Sequence, residues 1–238
     1  MPAKADLYHL LKHCIPNDHS RQVSAVYFVD LLMGEGAKGT RVLDLGCGAG
    51  RTIDMFRERD PDVRWVGVDI EASPEVATRT RTDAEFVTYD GIHLPFEDAS
   101  FDLIYSNQVF EHVRHPEPLL AEVKRVLSPG GAFVGSVSYL EPYHSFSVWN
   151  FTPYGWHEVC MAAGLEVKQL RPGIDGPALI RRAFLGRPQE ASKWFESSPL
   201  NEEIDAWGKE TKRRPALVNL RKLQHCGHIV FYAGRPEA

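Results

Sequence analysis

The 238-residue chain lacks several features that would place it quickly. No stretch approaches the about 18 consecutive apolar residues of a membrane-spanning helix, so no membrane partner is expected. The N-terminus does not run from basic to apolar as a secretory leader does, and a cytoplasmic location is expected. The four cysteines, Cys14, Cys47, Cys160 and Cys226, have no C-x-x-C spacing. They read as free thiols, neither a disulfide framework nor a zinc site. Excess positive charge is also missing: the net charge is −5, and a nucleic-acid partner is not expected. The short basic run Lys212-Arg213-Arg214 reads as a solvated helix face. Repeats and low-complexity tracts are absent. The 43% hydrophobic and 25% charged composition is that of an ordinary folded domain.

What is present is an alternation of strands and helices. Apolar runs at Arg41–Leu45, Arg64–Asp69, Glu85–Tyr89, Phe101–Ser106, Ala132–Ser138, Leu165–Leu170 and Gly227–Tyr232 read as strands. Helices are expected at residues 5–14, at 20–34 with Ser20 as N-cap, at Thr52–Arg59, and at Pro118–Leu127. The last of these closes in the turn Ser128–Gly131. Another begins at Thr152-Pro153, with an N-cap and proline at the first position, and ends near Gly164. Residues 73–82 have weak periodicity and are open between helix and loop. Alternation of this kind implies a mostly parallel, doubly wound sheet with helices on both faces. Residues 172–224 are too long for an ordinary connection. They suggest two or three helices with N-caps at Asp175 and Asn201, inserted as a cap over the sheet edge or the ligand mouth. The chain is therefore read as one domain: N-terminal helices 1–38, a core sheet from 39–171 and 226–235, and the insertion 172–225.

The most informative segment is VLDLGCGAGR, residues 42–51. An apolar strand breaks there into glycines at every second position, a turn that can take positive φ and let a ligand lie against bare backbone. The dinucleotide fingerprint would need glycine at 46, 48 and 51. Position 51 is Arg, and the third glycine, Gly50, comes one residue early. Ligands of open α/β sheets bind at the carboxyl ends of the strands, and acidic or polar residues recur there. Asp44 ends the first strand, Asp69 the second, Asp90-Gly91 follows the third, and Asn107 the fourth. A carboxylate at Asp69 offers two oxygens to two ribose hydroxyls.

The series VLDLGCGAGR, VGVDI, YDGIHLPFEDASFDLIYSNQVFEHV and VLSPGGAFVGSV resembles, over roughly residues 40–140, the class I S-adenosylmethionine (SAM)-dependent methyltransferases of the Methyltransf_11 (methyltransferase type 11) family. The resemblance implies a Rossmann-like seven-stranded sheet whose last strand lies antiparallel between strands five and six. It also implies SAM as cofactor, S-adenosylhomocysteine (SAH) as product and no metal. Asp44 and Gly46 would lie near the methionine amino group, with Cys47 and Gly48 in the turn beneath the cofactor. Asp69 would meet the ribose, Ile70 the adenine face, Asp90 and Gly91 the adenine edge, and Asn107 the methionine portion. The amides that open the helix after the glycine turn would hold the methionine carboxylate, with Arg51 assisting.

Transfer to a hydroxyl also asks for a general base. The family does not fix that residue, and three candidates come from the residues themselves. His112 lies just past the fourth strand, with Glu111 beside it expected toward solvent. Glu141 and His144 follow the fifth strand, in the aromatic-rich stretch 139–157, where packing alone does not ask for an acid and a histidine. Tyr8, with His9 and His13 on the first helix, is a candidate lid over the cofactor. His225, Cys226 and His228 resemble ligands in print, but alternation along a strand sends His225 and His228 to opposite faces. The expected function is methylation of a small-molecule acceptor, at a hydroxyl of a sugar or arene in preference to an amine, by a monomer or homodimer. The alternative is a non-catalytic SAM- or SAH-binding protein.

Overall fold

The computed structural model describes residues 7–34 and 36–236; the start of the helix expected at 5–14 lies outside them. Seven strands form one sheet: β1 (Arg41–Leu45), β2 (Arg64–Ile70), β3 (Glu85–Tyr89), β4 (Phe101–Asn107), β5 (Leu127–Ser138), β6 (Glu166–Pro172) and β7 (His228–Gly234). Their order across the sheet is β3-β2-β1-β4-β5-β7-β6. β7 pairs antiparallel with both neighbours, and the remaining pairs are parallel. The expected topology is the observed one. The order reverses at β1, where β2 and β4 flank it, so the carboxyl end of β1 faces a crevice between two oppositely directed crossovers.

Alternation along the central strands fills both faces. Leu43, Leu45 and Ile104 point into one apolar core, and Val42, Leu103 and Tyr105 into the other. Burial on both faces is what makes these strands read as nearly continuous apolar runs. Helices α5 (Pro116–Val126) and α6 (Pro153–Ala162) close the first core with Leu119, Leu120 and the fully buried Trp156. Helices α2 (Val26–Leu32) and α3 (Ile53–Arg59) close the second with Phe28, Val29, Ile53 and Phe56. α6 starts as expected, with the Thr152 hydroxyl accepting from Gly155 N–H at 2.9 Å.

Several boundaries move. Residues 20–25 are not helical; α2 begins at Val26, and Ser20, expected as its N-cap, donates instead to Asp205 across 3.0 Å. The strand-like segment is held by Val23 N–H donating to Pro172 O, a tertiary contact that overrides local helical periodicity. Ser128–Gly131 is not a free turn. β5 starts at Leu127, and a register irregularity against β4 absorbs the glycines. Residues 73–82 hold only the one-turn helix α4 (Pro74–Ala77).

The insertion carries α7 (Gly176–Phe184), a 3-10 helix at Gln189–Phe195, α8 (Pro199–Glu210) and α9 (Pro215–Leu223). Asp175 caps α7 as expected, accepting from Ala178 N–H. Asn201 is no cap. It lies inside α8, which starts after Ser198, and its side chain donates to Gln22 Oε1 and Gly173 O. α9 belongs to the first core through Ala216 and Leu223. The basic run is partly partnered: Arg213 stacks on Trp207, and Arg214 stacks on Tyr8 and donates to its hydroxyl.

Candidate active site

The glycine turn leaves β1 with Gly46 at φ +76° and Gly48 at φ +51°. A Cβ at Gly46 would meet Val109 at 2.3 Å, so the turn also needs the missing side chain for space. The turn is tied to β2. Gly46 N–H donates to Val68 O, and Gly48 N–H donates to Asp69 Oδ2 at 2.7 Å. Asp69 Oδ1 accepts from its neighbour's N–H, at Ile70. Each carboxylate oxygen has further lone pairs, so outward acceptor capacity remains. Ile70 stands 40% exposed just beyond, an apolar side chain left open beside an acid.

Asp44 is buried at the end of β1, and its carboxylate accepts from the Thr52 hydroxyl. Burial raises its pKa to about 7, the Thr52 bond opposes this, and the Asp69 charge adds to it. Once ionised, this buried carboxylate is complementary to a ligand ammonium group, whose charge would draw the proton off.

The remaining cofactor candidates divide. Asn107 is the exposed last residue of β4, its Oδ1 accepting from Ser136. Gly91 takes φ +90°. Asp90 is spent locally, with Oδ1 accepting from the Ile92 and His93 amides and Oδ2 paired with the His93 ring. Those bonds, led by the one to His93, hold its carboxyl down at about 2. The Cys47 thiol does not face the crevice: its Sγ lies against Gly67, and burial pushes its pKa up to about 12. Arg51 is exposed beside Thr78, Thr80 and Arg81 on the outer side of the turn. α3 starts only at Ile53, so turn residues 49–52 intervene before its first amides. Sequence reasoning missed Arg79, whose guanidinium clamps Gly48 O (2.9 and 2.6 Å) and stacks over Phe86.

Across Asn107 the chain assembles a polar cluster. Glu111 and His112 lie on a 3-10 turn, Phe110–His112, directly after β4. Glu111, expected toward solvent, is fully buried. Its backbone oxygen accepts from Val148 and Trp149 N–H, which folds the 139–151 loop over it. Ser138 Oγ stands 2.9 Å from Glu111 Oε1 and 2.5 Å from Glu141 Oε2. One hydroxyl proton serves one of these carboxylates at a time. Burial raises the Glu111 carboxyl to about 7, and Glu141 adds to the shift. Burial pushes Glu141 up too, but the His228 ring, 3.0 Å from Oε2, together with Ser138 and His144, outweighs it and leaves Glu141 below the usual range. The Gln108 amide, turned so that its NH2 faces the acids, donates to Glu111 Oε1 (2.9 Å) and Glu141 Oε2 (3.1 Å).

His144 Nδ1 lies 3.8 Å from Glu141 Oε1 and its ring meets His112 edge-on at 5.2 Å. Burial, helped by His144, lowers the His112 pKa. The three base candidates, His112, His144 and Glu141, therefore stand together, joined by Glu111 and His228. Of the aromatic stretch, Phe151 and Trp156 are core. Tyr143, Phe146 and Trp149 are exposed at 75%, 78% and 45%, on the outer side of the loop.

Tyr8 is not a lid over the glycine turn; it is held by Arg214, and its helix α1 (Leu7–Leu11) packs on α6. His13 pairs with the buried His157 at 3.1 Å. The segment that does approach the strand ends is Val23–Ala25. With Asn107, Gln108, Ser136, Phe195 and His228 it lines a cavity of about 140 Å³. His225 and Cys226 stay out of the cluster, and the Cys226 thiol donates to Leu223 O.

The model of the Methyltransf_11 family, described as a methyltransferase domain, matches residues 43–135. Over this span the chain resembles that family. A methyltransferase of Mycobacterium avium, named as uncharacterized, is 39% identical over 132 residues, 53% of this chain and 46% of that protein. The ubiquinone biosynthesis O-methyltransferase of Roseobacter denitrificans is 30% identical over 139 residues, 56% of this chain and 55% of that protein. The chain thus spans about half the length of these curated relatives. The fold is shared with the S-adenosylmethionine-dependent methyltransferase of Mesorhizobium loti at TM-score 0.55 and 19% identity, covering 89% of this chain and 98% of that one. The matched span covers β1 through most of β5. It stops short of the 139–151 loop and the insertion. No helix among the described residues is long and apolar enough to cross a membrane.

Proposed function

We propose that the protein transfers the methyl group of SAM to a hydroxyl of a small, flat acceptor and releases SAH. The observation that carries the cofactor half is the pairing of a buried Asp44 with the bare Gly46–Gly48 turn and the Asp69–Ile70 strand end. These residues fit the group. Asp44 answers the methionine ammonium, Asp69 keeps lone pairs for the ribose, and exposed Ile70 suits a purine face. SAM supplies a methyl carbon on a positively charged sulfur. Asn107 and Gly46 then flank the methionine arm, while Asp90 acts through the turn it caps.

Displacement at that carbon releases a neutral sulfur, so the protein's work is alignment. A hydroxyl acceptor must lose its proton as the O–C bond forms and the C–S bond breaks. His112, kept neutral by burial, and His144, set by Glu141, are the groups placed to take it. The O-methyltransferase among the relatives supports a hydroxyl acceptor, and the Phe195 ring on the cavity wall supports a flat one. The insertion acts as a cap on the acceptor side, since Ile174 and Phe195 line the cavity beside Gln108 and His228.

Calorimetry with SAH, NAD and NADP tests the cofactor half: SAH alone should bind, and NAD binding without SAH binding would overturn it. A radiolabelled methyl-transfer screen over phenols, sugars and amines tests the acceptor. Methylation confined to amines would refute the hydroxyl reading.

A further inference from the structure

We propose that Glu111, His112 and His144 bind a divalent metal ion of the zinc, manganese or iron(II) class at the acceptor end of the site. One carboxylate oxygen of Glu111 and one ring nitrogen of each histidine lie within 4.8 Å of one another. Two of these residues carry an orphaned atom. Glu111 is fully buried and its Oε2 has no hydrogen-bond partner, and the buried His112 Nδ1 has none either. Buried polar atoms without partners are uncommon and destabilising. A cation relieves both at once, whereas a packing role for Glu111 explains neither.

The surrounding groups orient the three ligands as outer partners do in metal centres. Glu111 Oε1 is held by Ser138 at 2.9 Å, leaving Oε2 as the free oxygen. His144 Nδ1 faces Pro142 O at 3.3 Å and Glu141 Oε1 at 3.8 Å, which leaves Nε2 free. Glu141 is itself fixed by His228. Two imidazoles and one carboxylate favour borderline transition metals over magnesium or calcium, which prefer oxygen ligands. The ligand spread is wider than the roughly 3–4 Å between donors of a closed coordination shell built on bonds of about 2.1 Å. His144 rides on the loop carrying Ser145 and Phe146 at positive φ, so it is the ligand that moves inward on loading.

Three protein ligands leave positions open, and Asn107 and the methyl donor's seat lie on the same side of the sheet. An oxygen donor of the acceptor fits an open position, where a cation favours its ionised form; with the ion bound, the ligating ring nitrogens of His112 and His144 are committed to it, and the ion takes over from them the task of activating the hydroxyl. This inference rests on the proposed function for the ion's use, but binding of the ion is independent of it and is measured without SAM.

The protein is stripped with chelator and titrated with Co²⁺ and Zn²⁺, following the cobalt d–d absorption bands and metal content by mass spectrometry. One ion per chain is expected. Binding should weaken at least tenfold in His144→Ala, a substitution on the exposed loop, and in Glu111→Gln, which preserves size. Folding is checked by circular dichroism, and SAH binding is followed in parallel. Absence of stoichiometric binding by the folded wild-type protein would overturn the site. So would binding that survives undiminished in both variants. Wild-type protein that binds SAH but no metal would overturn this site alone, and protein that binds metal but not SAH would overturn the cofactor reading alone.

Discussion

Cofactor affinity should depend on pH through Asp44. Its carboxyl is buried at the end of β1, and burial, reinforced by the Asp69 charge, raises its pKa to about 7. The sign follows from linkage. An acid whose folded pKa lies above its unfolded value keeps its proton in the native state, so stability is highest at low pH and declines as pH rises through the window from about 4 to 7. A ligand ammonium beside the carboxylate reverses the preference and draws the proton off. With a pKa of about 7, roughly a tenth of Asp44 is ionised at pH 6 and about three quarters at pH 7.5. If only the ionised form binds the ammonium well, SAH affinity should tighten about eightfold over that range, and protons should be released on binding. Calorimetry in buffers of different ionisation enthalpy reads both quantities. Asp44→Asn should flatten the pH dependence and bind more weakly at pH 7.5. A pH-independent wild-type affinity without proton release would refute the assignment. So would Asp44→Asn binding as tightly as wild type.

Asp69→Ala should weaken SAH binding by about 1.5–3 kcal/mol, the scale of a lost hydrogen bond to a charged group, and should loosen the turn because Gly48 N–H loses its acceptor; unchanged affinity in a folded variant would defeat the ribose role. Lys222→Ala concerns stability alone. Lys222 is fully buried and donates to Ser20 O and Asp205 Oδ2, each at 2.7 Å. Removing one partner of a buried pair costs about 3–5 kcal/mol, and Asp205, a third exposed, can rehydrate, so a loss near the lower end is expected in urea unfolding. A change under about 1 kcal/mol would show that the pair does not anchor α9 to the 20–25 segment.

The residues of the proposed cofactor end stand out in the sequence because they are local in it. Asp44, Gly46 and Gly48 lie within five residues, and Asp69 and Asn107 each terminate a strand whose apolar run announces itself. A parallel sheet stacks those strand ends in one row, so order along the chain translates into neighbours in space. Two side chains there take directions that spacing does not reveal. Cys47 turns under the glycine loop because Gly67 leaves room on β2, and Asp90 folds back on its own amides. Neither spacing nor residue type reports these choices. Ser20 and Asn201 failed for a related reason: each has a cap-forming side chain, but a distant partner claims it.

The acceptor end resists sequence reading because it is built by an antiparallel pairing between distant segments. The register of β5 on β7 sets Ser138 directly opposite His228. That one alignment places a histidine 87 residues away from Glu141 against its carboxylate. Alternation had suggested that His225 and His228 part company, and they do, but it could not say what His228 would meet. Glu111, expected toward solvent, is buried instead. Its burial comes from the Val148 and Trp149 amides, which close the loop over its backbone oxygen, and from Ser138 and Gln108, which receive the side chain. The acid at 111 therefore gains its character from the loop that the family match does not reach. Differences in the 139–151 loop among related chains should then change acceptor chemistry while leaving the SAM seat intact, because the two ends share the β4 terminus but draw on different partners.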